Sequence, residues 1–273
     1  AGRLVRARRQ ATRPPRLMSR ARRRLFVPAS ALAGGRLDLA PEDARRALWL
    51  GVRAGDEILA LDDSGWSWSV LVDRCDATGC SGQLTGRWLA SERRTKITLY
   101  VGVLHPYDYR RLLVAGTDVG IVAFVPVIAD HSPIAALGGS DHDEAAWPRL
   151  VRDAAEAGGR GRLPLLSAPM MLDHALDDVA RQAIALAVAA GGLPLEEALV
   201  GRPFSIGVFC PPAAGFSAAE ADRLQRQGVT PVRAPSAPPD PVLAALTLVR
   251  RIYHLLEPEE PDAQAGSDGP SEL

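Results

Sequence analysis

The chain has little cysteine: only Cys75, Cys80 and Cys210 occur among its 273 residues. Three thiols so scattered cannot supply the disulfide framework of a small secreted domain, so the sequence predicts an intracellular, cytoplasmic protein. Cys75 and Cys80 also lack a second pair of ligands at the spacing that zinc sites use. We therefore expect no metal site at these residues.

Long hydrophobic runs and several common catalytic motifs are missing as well. No apolar run approaches the ~20 residues that a membrane-spanning helix needs, so we expect no contact with a membrane. The arginine-rich start is not followed by an apolar stretch, which argues against a secretory signal. The sequence contains no phosphate-binding Walker loop and no nucleophile elbow. It therefore gives no indication of nucleotide hydrolysis or of a serine hydrolase.

Charge of one sign is missing from each end of the chain. Residues 1–24 contain ten arginines and no acid, whereas residues 257–273 contain six acids and no base. Blocks of like charge are typical of disordered tails, and basic arms often bind polyanions. We expect a basic flexible arm over residues 1–22 and an acidic disordered tail over 258–273. The arm, with Arg22, Arg23 and Arg24 at or just after its end, either binds a polyanion or is merely solvated.

The segment 23–92 has the pattern of a small β-rich module. Residues 55–61 alternate between apolar and polar side chains, residues 62–65 read Asp-Asp-Ser-Gly, and alternation resumes over 66–72. Alternation interrupted by such a turn predicts a β-hairpin. With further alternation over 82–88, the segment is predicted to be a small β-barrel.

The segment 93–257 has a different pattern. Residues 97–104, 121–127 and 204–210 are nearly continuous apolar runs, separated by helical stretches. Such runs are typical of strands buried on both faces, and their alternation with helices predicts an α/β domain with a parallel sheet. Ligands of such sheets bind beyond the carboxyl ends of the strands. Residues 211–215, Pro-Pro-Ala-Ala-Gly, lie at such an end.

Helix-capping chemistry accounts for several polar residues near this loop. Ser217 and Glu220 are spaced as a capping box, and Asp240 followed by Pro241 is a typical helix start. These residues therefore need no catalytic role. The loop before Ser217 is still expected to present Gly215 and free backbone N–H groups at a helix start, which favours a carboxylate or phosphate ligand. The acidic and histidine residues 130–131 and 141–144 are candidate metal ligands, but helix-start chemistry explains residues 141–144 better.

Four segments, taken in order, resemble the E-type small-subunit ribosomal RNA methyltransferases. These segments are Asp118-Val-Gly-Ile-Val-Ala-Phe-Val-Pro126, Glu156-Ala-Gly-Gly-Arg-Gly-Arg-Leu-Pro164, Gly215-Phe-Ser-Ala-Ala-Glu220 and Leu243-Ala-Ala-Leu246. The likeness spans residues 22–257. It implies a PUA-like β-barrel, a SPOUT α/β domain with a C-terminal trefoil knot, and a homodimer. It further implies S-adenosylmethionine as cofactor and N3 of a uridine in small-subunit ribosomal RNA as the methylated atom.

The resemblance also implies a set of binding residues. Cofactor contacts are expected along the ends of three strands and in two loops: Val188, Phe209, Cys210, Pro211, Ala214, Gly215, Val232, Ala237 and Pro238. In the glycine-rich loop, Arg160 and Arg162 are further candidates for RNA phosphates. No residue is identified as the catalytic group.

The chain departs from the family pattern at both cofactor loops. The family's Gly-Pro-Glu-Gly-Gly is replaced by Pro211-Pro-Ala-Ala-Gly215, and the segment 236–241 lacks the family's arginine and glutamate. Proline at 211 removes a backbone N–H donor. Two alternatives to an active enzyme therefore stay open: a non-catalytic RNA-binding paralogue that lost its cofactor, and a cofactor-independent α/β protein.

Overall fold

The structure is a computed structural model that describes residues 22–133, 146–233 and 240–257. It divides into two compact units. The first contains the described residues up to Ser91 together with 159–162, and the second contains the other described residues from Glu92 onward. The predicted boundary between residues 92 and 93 differs by one residue from this division. The predicted tails 1–22 and 258–273 lie outside the described residues, apart from Arg22.

The first unit is built on one six-stranded sheet. Its elements are β1 (Arg24–Phe26), a short 3-10 helix (Ala29–Ala31), β2 (Leu32–Ala33), β3 (Arg36–Leu39), α1 (Pro41–Trp49), β4 (Glu57–Leu61), β5 (Trp66–Asp76) and β6 (Gly79–Leu89). The strand order is β1-β4-β5-β6-β3-β2. Only β1 pairs in parallel, with β4, and the other neighbours are antiparallel.

A buried cluster supports this sheet. It includes Leu37, Ile58 and Val70, which are fully buried, and helix α1 contributes Ala44 and Ala47. The alternation seen in the sequence therefore corresponds to one face of each strand turned toward this core. The predicted β-hairpin over residues 55–72 is confirmed as β4 and β5, which pair antiparallel from Glu57 to Leu71.

The second unit alternates strands and helices. Its elements are β7 (Lys96–Gly102), α2 (Pro106–Val119), β8 (Ala123–Ile128), α3 (Trp147–Gly158), β9 (Leu165–Leu166), β10 (Met170–Met171), α4 (Leu172–Val179), β11 (Ile184–Leu193), α5 (Leu195–Ala198), β12 (Ser205–Cys210), α6 (Ala218–Arg226), β13 (Thr230–Val232) and α7 (Pro241–Leu256). The main sheet order is β10-β8-β7-β12-β11-β13, and β9 also pairs with β8. Every pairing is parallel, as predicted.

Successive residues of the central strands enter two different cores. Leu99 and Val208 belong to a cluster shared with α2 and α7, whereas Tyr100 and Phe209 belong to a cluster shared with α4 and α6. The rings of Tyr100 and Phe209 stack with centroids 4.6 Å apart. Because helices cover both faces, these strands are apolar along their whole length. The prediction of strands buried on both faces is therefore confirmed.

Candidate ligand site at the carboxyl edge of the sheet

A cavity of about 450 Å³ lies at the carboxyl ends of β11, β12 and β13, a size within the ~300–1,000 Å³ that is usual for small-molecule sites. Nearly all of the side chains that line it are apolar, with Gln225 and Arg233 as the polar exceptions. The lining residues are Ala187, Val188, Ala189, Ala190, Pro211, Gly215, Phe216, Ala221, Leu224, Gln225, Val229, Pro231 and Arg233. The cavity is therefore at the edge where a parallel sheet is expected to bind ligands.

The loop between β12 and α6 forms one wall of this cavity. It passes so close to β7 that a Cβ atom on Gly102 would stand 2.4 Å from the backbone nitrogen of Pro212. Glycine is therefore the residue that lets the loop lie against the end of β7. The N–H of Gly215 donates to the carbonyl of Pro212 over 2.8 Å, which closes a turn. This N–H is therefore engaged within the loop and is not one of the free N–H groups expected at the start of α6.

The capping box at the start of α6 is present as predicted. Glu220 is only 1% exposed, and its carboxylate accepts the N–H of Ser217 over 2.9 Å. The other carboxylate oxygen accepts the N–H of Asp130 over 2.8 Å. A hydrogen bond of this kind to a buried charged group stabilises a fold by about 1.5–3 kcal/mol. Glu220 therefore fixes the cavity loop to the segment after β8, a tether that the capping pattern does not reveal.

Two further hydrogen bonds join the same two segments. The hydroxyl of Ser217 donates to the carboxylate of Asp130 over 2.6 Å. His131 contacts the carbonyl of Gly215 through Nδ1 at 2.9 Å. Because a carbonyl oxygen can only accept, Nδ1 carries the proton in this contact. Asp130 and His131 therefore hold the loop in place.

The opposite wall depends on a close approach between β11 and β13. Val232 pairs with both Val188 and Leu193, so the intervening residues of β11 bulge around the end of β13. A Cβ atom on Gly192 would stand 2.5 Å from the carbonyl carbon of Val232. The N–H of Arg233 then donates to the carbonyl of Leu193 over 2.9 Å. This packing brings the Arg233 side chain to the cavity.

The predicted cofactor residues divide into three groups. Val188, Pro211 and Gly215 line the cavity. The side chains of Phe209, Cys210 and Val232 are buried in the cores and do not line the cavity, because adjacent strand residues alternate between the two faces of the sheet. Burial raises the pKa of the Cys210 thiol to about 12. Ala214 is exposed, and Ala237 and Pro238 lie outside the described residues.

Several lining residues were not predicted from the sequence. They come from the inner face of α6, from the bulge of β11 and from the end of β13: Ala187, Ala189, Ala190, Phe216, Ala221, Leu224, Gln225, Val229, Pro231 and Arg233. The position of Arg233 was a usable signal, because it directly follows a strand whose carboxyl end lies at the ligand edge. Residues 187–190 gave no such signal, since the bulge that turns them toward the cavity has no motif.

The beginning of α7 is also fixed near this edge. Asp240 caps the helix by accepting the N–H groups of Val242 and Leu243, as predicted. Arg111 donates to the other carboxylate oxygen of Asp240 over 2.7 Å. This hydrogen bond from Arg111 outweighs partial burial and holds the pKa of Asp240 below its ordinary value. The carboxylate is therefore ionised at neutral pH and keeps the start of α7 on α2.

The arginines predicted to bind RNA are in the first unit, and most are already engaged. Arg22 pairs with Glu57 at 3.0 Å, and Arg23 pairs with Asp56 at 3.3 Å. Arg162 donates to the carbonyl of Ser64 over 2.5 Å. Arg160 is only 6% exposed, and Arg24 lies against Gly159. A phosphate would have to compete with these contacts.

A second cavity, of about 390 Å³, has polar walls. It lies at the amino-terminal edge of the same sheet, between the ends of α2 and α7. The lining residues are Arg93, Asp118, Val119, Arg250, Tyr253, His254 and Glu257. The guanidinium of Arg93 stands 5.0 Å over the Tyr253 ring, and Glu257 accepts the N–H of Thr95.

Within the described ranges, no helix is long and apolar enough to cross a membrane. Residues 141–144, candidate metal ligands in the sequence, are outside those ranges. Thus the apolar cavity is the site whose position and lining suit a small organic ligand.

The geometry describes an α/β protein with a ligand cavity at the carboxyl edge of a parallel sheet, and a sequence comparison gives its family. Residues 91–234 match the family model of the RNA methyltransferase domain. This match covers more than half of the chain, so the protein belongs to the RNA methyltransferase domain family. No curated protein matches the chain by sequence.

Solved structures agree with this assignment. The ribosomal RNA small subunit methyltransferase E of Neisseria gonorrhoeae, solved with S-adenosylmethionine, is 19% identical with a TM-score of 0.76, over 86% of this chain and 98% of that one. A Legionella pneumophila protein described as a candidate methyltransferase, also solved with S-adenosylmethionine, is 18% identical with a TM-score of 0.74, over 85% and 97% of the two chains. The likeness confirms the predicted fold class at the level of architecture: a barrel-like unit with a largely antiparallel sheet, followed by an α/β unit with a parallel sheet. The trefoil knot stays a prediction.

Proposed function

We propose that this protein is an S-adenosylmethionine-dependent RNA methyltransferase and that the apolar cavity is its cofactor site. The observation that carries the proposal is the place of this cavity, at the carboxyl edge of the parallel sheet in a chain of the RNA methyltransferase domain family. The two similar structures named above contain S-adenosylmethionine. By resemblance, the substrate is small-subunit ribosomal RNA and the target is N3 of a uridine.

The cavity residues fit such a cofactor. Val188, Leu224 and Val229 offer apolar surface to a flat, weakly polar ring system. Arg233 offers a guanidinium at the same cavity, and a guanidinium binds a carboxylate through paired, charge-assisted hydrogen bonds. We propose that the apolar residues hold the adenine end and that Arg233 binds the amino-acid carboxylate. The bound cofactor would supply an electrophilic methyl group on a sulfonium.

The protein's contribution to the chemistry is positioning and exclusion of water. The turn at Pro212 and Gly215, held by Glu220, Ser217 and His131, gives the loop one defined shape. A fixed loop lowers the entropic cost of holding two reactants in line. N3 of uridine is a weak acid, so its proton must leave during methylation.

The finer parts of the proposal follow from the resemblance. We propose that the chain forms a homodimer, that it is cytoplasmic, that the second unit contains the trefoil knot, and that the first unit contributes to RNA binding. The basic arm 1–22 is proposed to add electrostatic attraction to RNA. Sedimentation of the purified protein tests the dimer, and a monomer at micromolar concentration contradicts it.

One observation favours a second function, RNA binding without catalysis. Pro211, Ala213 and Ala214 replace two glycines and the acid that the family has in this loop, whereas Pro212 and Gly215 are retained. Pro211 lines the cavity without filling it, because about 450 Å³ of space remains. Pro238 and Pro239 lie outside the described residues. The open cavity therefore does not favour this alternative over the enzyme.

Titration calorimetry with S-adenosylmethionine and with its demethylated product tests the proposal. We expect binding of both at micromolar concentration, and transfer of a labelled methyl group to small-subunit RNA. A folded protein that binds neither compound at millimolar concentration contradicts the enzyme and leaves the RNA-binding paralogue. Binding without transfer to any ribosomal RNA contradicts the proposed substrate.

A further inference from the structure

The surface of the first unit carries two tryptophans and an arginine in direct contact. Trp66 and Trp68 are two residues apart on β5, so their rings lie on the same face of the sheet. Arg87 on β6 is the direct cross-strand partner of Trp68. Its guanidinium carbon stands 4.6 Å from the centroid of the Trp66 ring and 5.2 Å from that of the Trp68 ring. We name these three residues the Trp-Arg cluster.

The cluster is held in a fixed arrangement. Asp62 accepts the indole N–H of Trp68 over 3.0 Å and the backbone N–H of Trp66 over 3.4 Å. The hydroxyl of Ser64 donates to the same carboxylate over 2.6 Å. Burial acts to raise the pKa of Asp62, but the hydrogen bonds from Ser64 and Trp68 outweigh it and hold this pKa below its ordinary value. The Trp68 ring and the backbone at Trp66 are therefore anchored in advance, which lowers the cost of binding a ligand.

The cluster is also open to solvent. Both tryptophans are partly exposed, and the Arg87 side chain is exposed. Leu89, opposite Trp66 on the same face, is 66% exposed. Within the described part of the chain, Arg87 forms no ion pair with a carboxylate; the carboxylate beside the cluster, that of Asp62, is bonded to Trp68 and Ser64. A cation held over two aromatic rings suits a partner that is both flat and anionic.

Unpaired nucleotides have this combination of properties. Single-stranded RNA presents the flat faces of its bases to aromatic rings and guanidinium planes, and its phosphates attract cations. In a duplex the base faces are covered by stacking, so the same surface gains less from paired RNA. A protein partner would supply apolar side chains but no regular anionic backbone. The chemistry of the cluster therefore favours RNA.

We propose that the Trp-Arg cluster is a binding surface on which unpaired nucleotides of the RNA substrate stack. The inference rests on the proposed function only in that the partner is RNA, and it needs neither cofactor binding nor catalysis. Trp66 provides the stacking plane, and the charge of Arg87 contacts the adjacent phosphate. This surface does not include Arg22, Arg23, Arg24 or Arg160, whereas Arg162 borders it through its hydrogen bond to the carbonyl of Ser64.

Fluorescence anisotropy with the full chain and no cofactor tests this surface. The probe is a labelled, unstructured RNA of about 12 nucleotides, within the usual range of single-strand binding sites. Trp66→Ala is expected to weaken binding about 5- to 150-fold, the range that loss of one base stack corresponds to. Arg87→Gln is expected to weaken binding. It is also expected to reduce the salt dependence of the affinity by the amount that one phosphate contact contributes. A hairpin RNA with no unpaired segment is expected to bind more weakly than the open strand.

The matched control is Trp49→Ala, because Trp49 is 79% exposed at the end of α1 and outside the cluster. It is expected to leave RNA affinity unchanged. Trp66→Phe keeps an aromatic plane and is expected to retain most of the affinity, which separates stacking from loss of fold. Thermal unfolding of each variant checks that the sheet is intact.

Three results overturn the proposal. The first is that both Trp66→Ala and Arg87→Gln bind the open strand as tightly as the wild type does, while Trp66→Phe and Arg87→Gln fold normally. The second is an equal loss of affinity in Trp49→Ala. The third is that the variants leave RNA affinity unchanged but dissociate a dimer, since the cluster is then a protein interface. If the wild type binds RNA through this surface but does not bind S-adenosylmethionine, the inference holds and the enzyme proposal fails.

Discussion

The two cavities of the second unit differ in what their side chains are already bonded to. At the carboxyl edge, most lining groups are apolar and only Gln225 and Arg233 bring polar side chains. At the amino-terminal edge, two of the polar lining side chains are already bonded to backbone: Glu257 accepts from Thr95, and Tyr253 donates to the carbonyl of Gly120. A ligand that used these groups in the second cavity would have to replace these bonds. In the first cavity, a ligand gains from apolar burial and competes only with the 3.4 Å hydrogen bond from Arg233 to the carbonyl of Gly192, which is why the first is the proposed site.

This contrast follows from how a parallel sheet is connected. At the carboxyl edge, the chain turns from β12 into α6 through a short loop of prolines and small residues that leaves space beside it. At the amino-terminal edge, the long helices α2 and α7 end, and their last turns carry the polar side chains of Asp118 and His254. Charges at helix ends pair with neighbouring backbone and with each other. The polar cavity is therefore a structural junction.

The largest effect is expected where the wall of the apolar cavity has no spare room. In Gly192→Ala, the new Cβ would stand 2.5 Å from one backbone atom of Val232 and 2.6 Å from another. Because backbone cannot rotate away, β13 must shift, and we expect stability to fall by about 3 kcal/mol. Urea unfolding measures this, and calorimetry is expected to show weaker cofactor binding because Arg233 moves with β13.

The neighbouring Gly191→Ala is the control for this strand. A Cβ at Gly191 meets nothing within 4 Å. We expect its stability to stay within about 0.5 kcal/mol of the wild type. Equal destabilisation by the two substitutions would mean that the close approach of β11 to β13 is not what limits this wall.

The second effect concerns the tether of the cavity loop. In the wild type, the two carboxylate oxygens of Glu220 accept the N–H groups of Asp130 and Ser217. Glu220→Gln replaces one of these oxygens with an NH₂ group, which then faces one of the two N–H donors. One donor is left facing another, and we expect stability to fall by about 2 kcal/mol. Chemical denaturation measures this loss, and cofactor affinity is expected to fall with it because the loop is released.

Glu197→Gln is the matched substitution, since Glu197 is exposed on the short helix α5. It is expected to change neither stability nor affinity. If Glu220→Gln destabilises the protein but leaves cofactor affinity intact, the loop does not need this tether to shape the cavity.

The third prediction compares one arginine from each cavity. Arg233→Gln removes the cation of the apolar cavity, and we expect S-adenosylmethionine to bind about tenfold more weakly, which corresponds to about 1.4 kcal/mol. Arg250→Gln removes a cation of the polar cavity and is expected to leave this affinity unchanged. Titration calorimetry of both variants measures the difference. A larger effect of Arg250→Gln would reverse the assignment of the two cavities.

Sequence alone predicted the fold better than the site. The apolar runs and the capping residues specified the parallel sheet and the helices α6 and α7, because burial and capping act locally along the chain. The hairpin of β4 and β5 followed from alternation and a turn. The start of α7 at Asp240 was predicted because an acidic cap followed by proline is a strong local signal.

The cavity was predicted less well because it depends on which face of a strand each side chain occupies and on contacts between residues far apart in the sequence. Phe209, Cys210 and Val232 were expected at the cofactor, yet their side chains alternate into the cores. The tether from Glu220 to Asp130 joins residues that are ninety positions apart in the chain. Neither the bulge of β11 nor the close approach of Gly192 to Val232 has a local motif. The Trp-Arg cluster likewise needs the register of β5 with β6.

The smallest effect is expected in the polar cavity. Tyr253→Phe removes the hydroxyl that donates to the carbonyl of Gly120 over 2.9 Å, in a buried position. We expect stability to fall by about 1 kcal/mol, the usual contribution of one such hydrogen bond, and the affinity for S-adenosylmethionine to stay the same. Thermal unfolding and calorimetry of the same sample measure both.

Tyr107→Phe serves as the comparison, because Tyr107 is 68% exposed on α2 and its hydroxyl faces water. It is expected to alter neither quantity. A junction and a binding site can be told apart by this pair of measurements, since loss of a structural bond lowers stability alone. If Tyr253→Phe weakens cofactor binding by as much as Arg233→Gln does, the two edges of the sheet are coupled, and the polar cavity takes part in binding through the helix α7 that borders it.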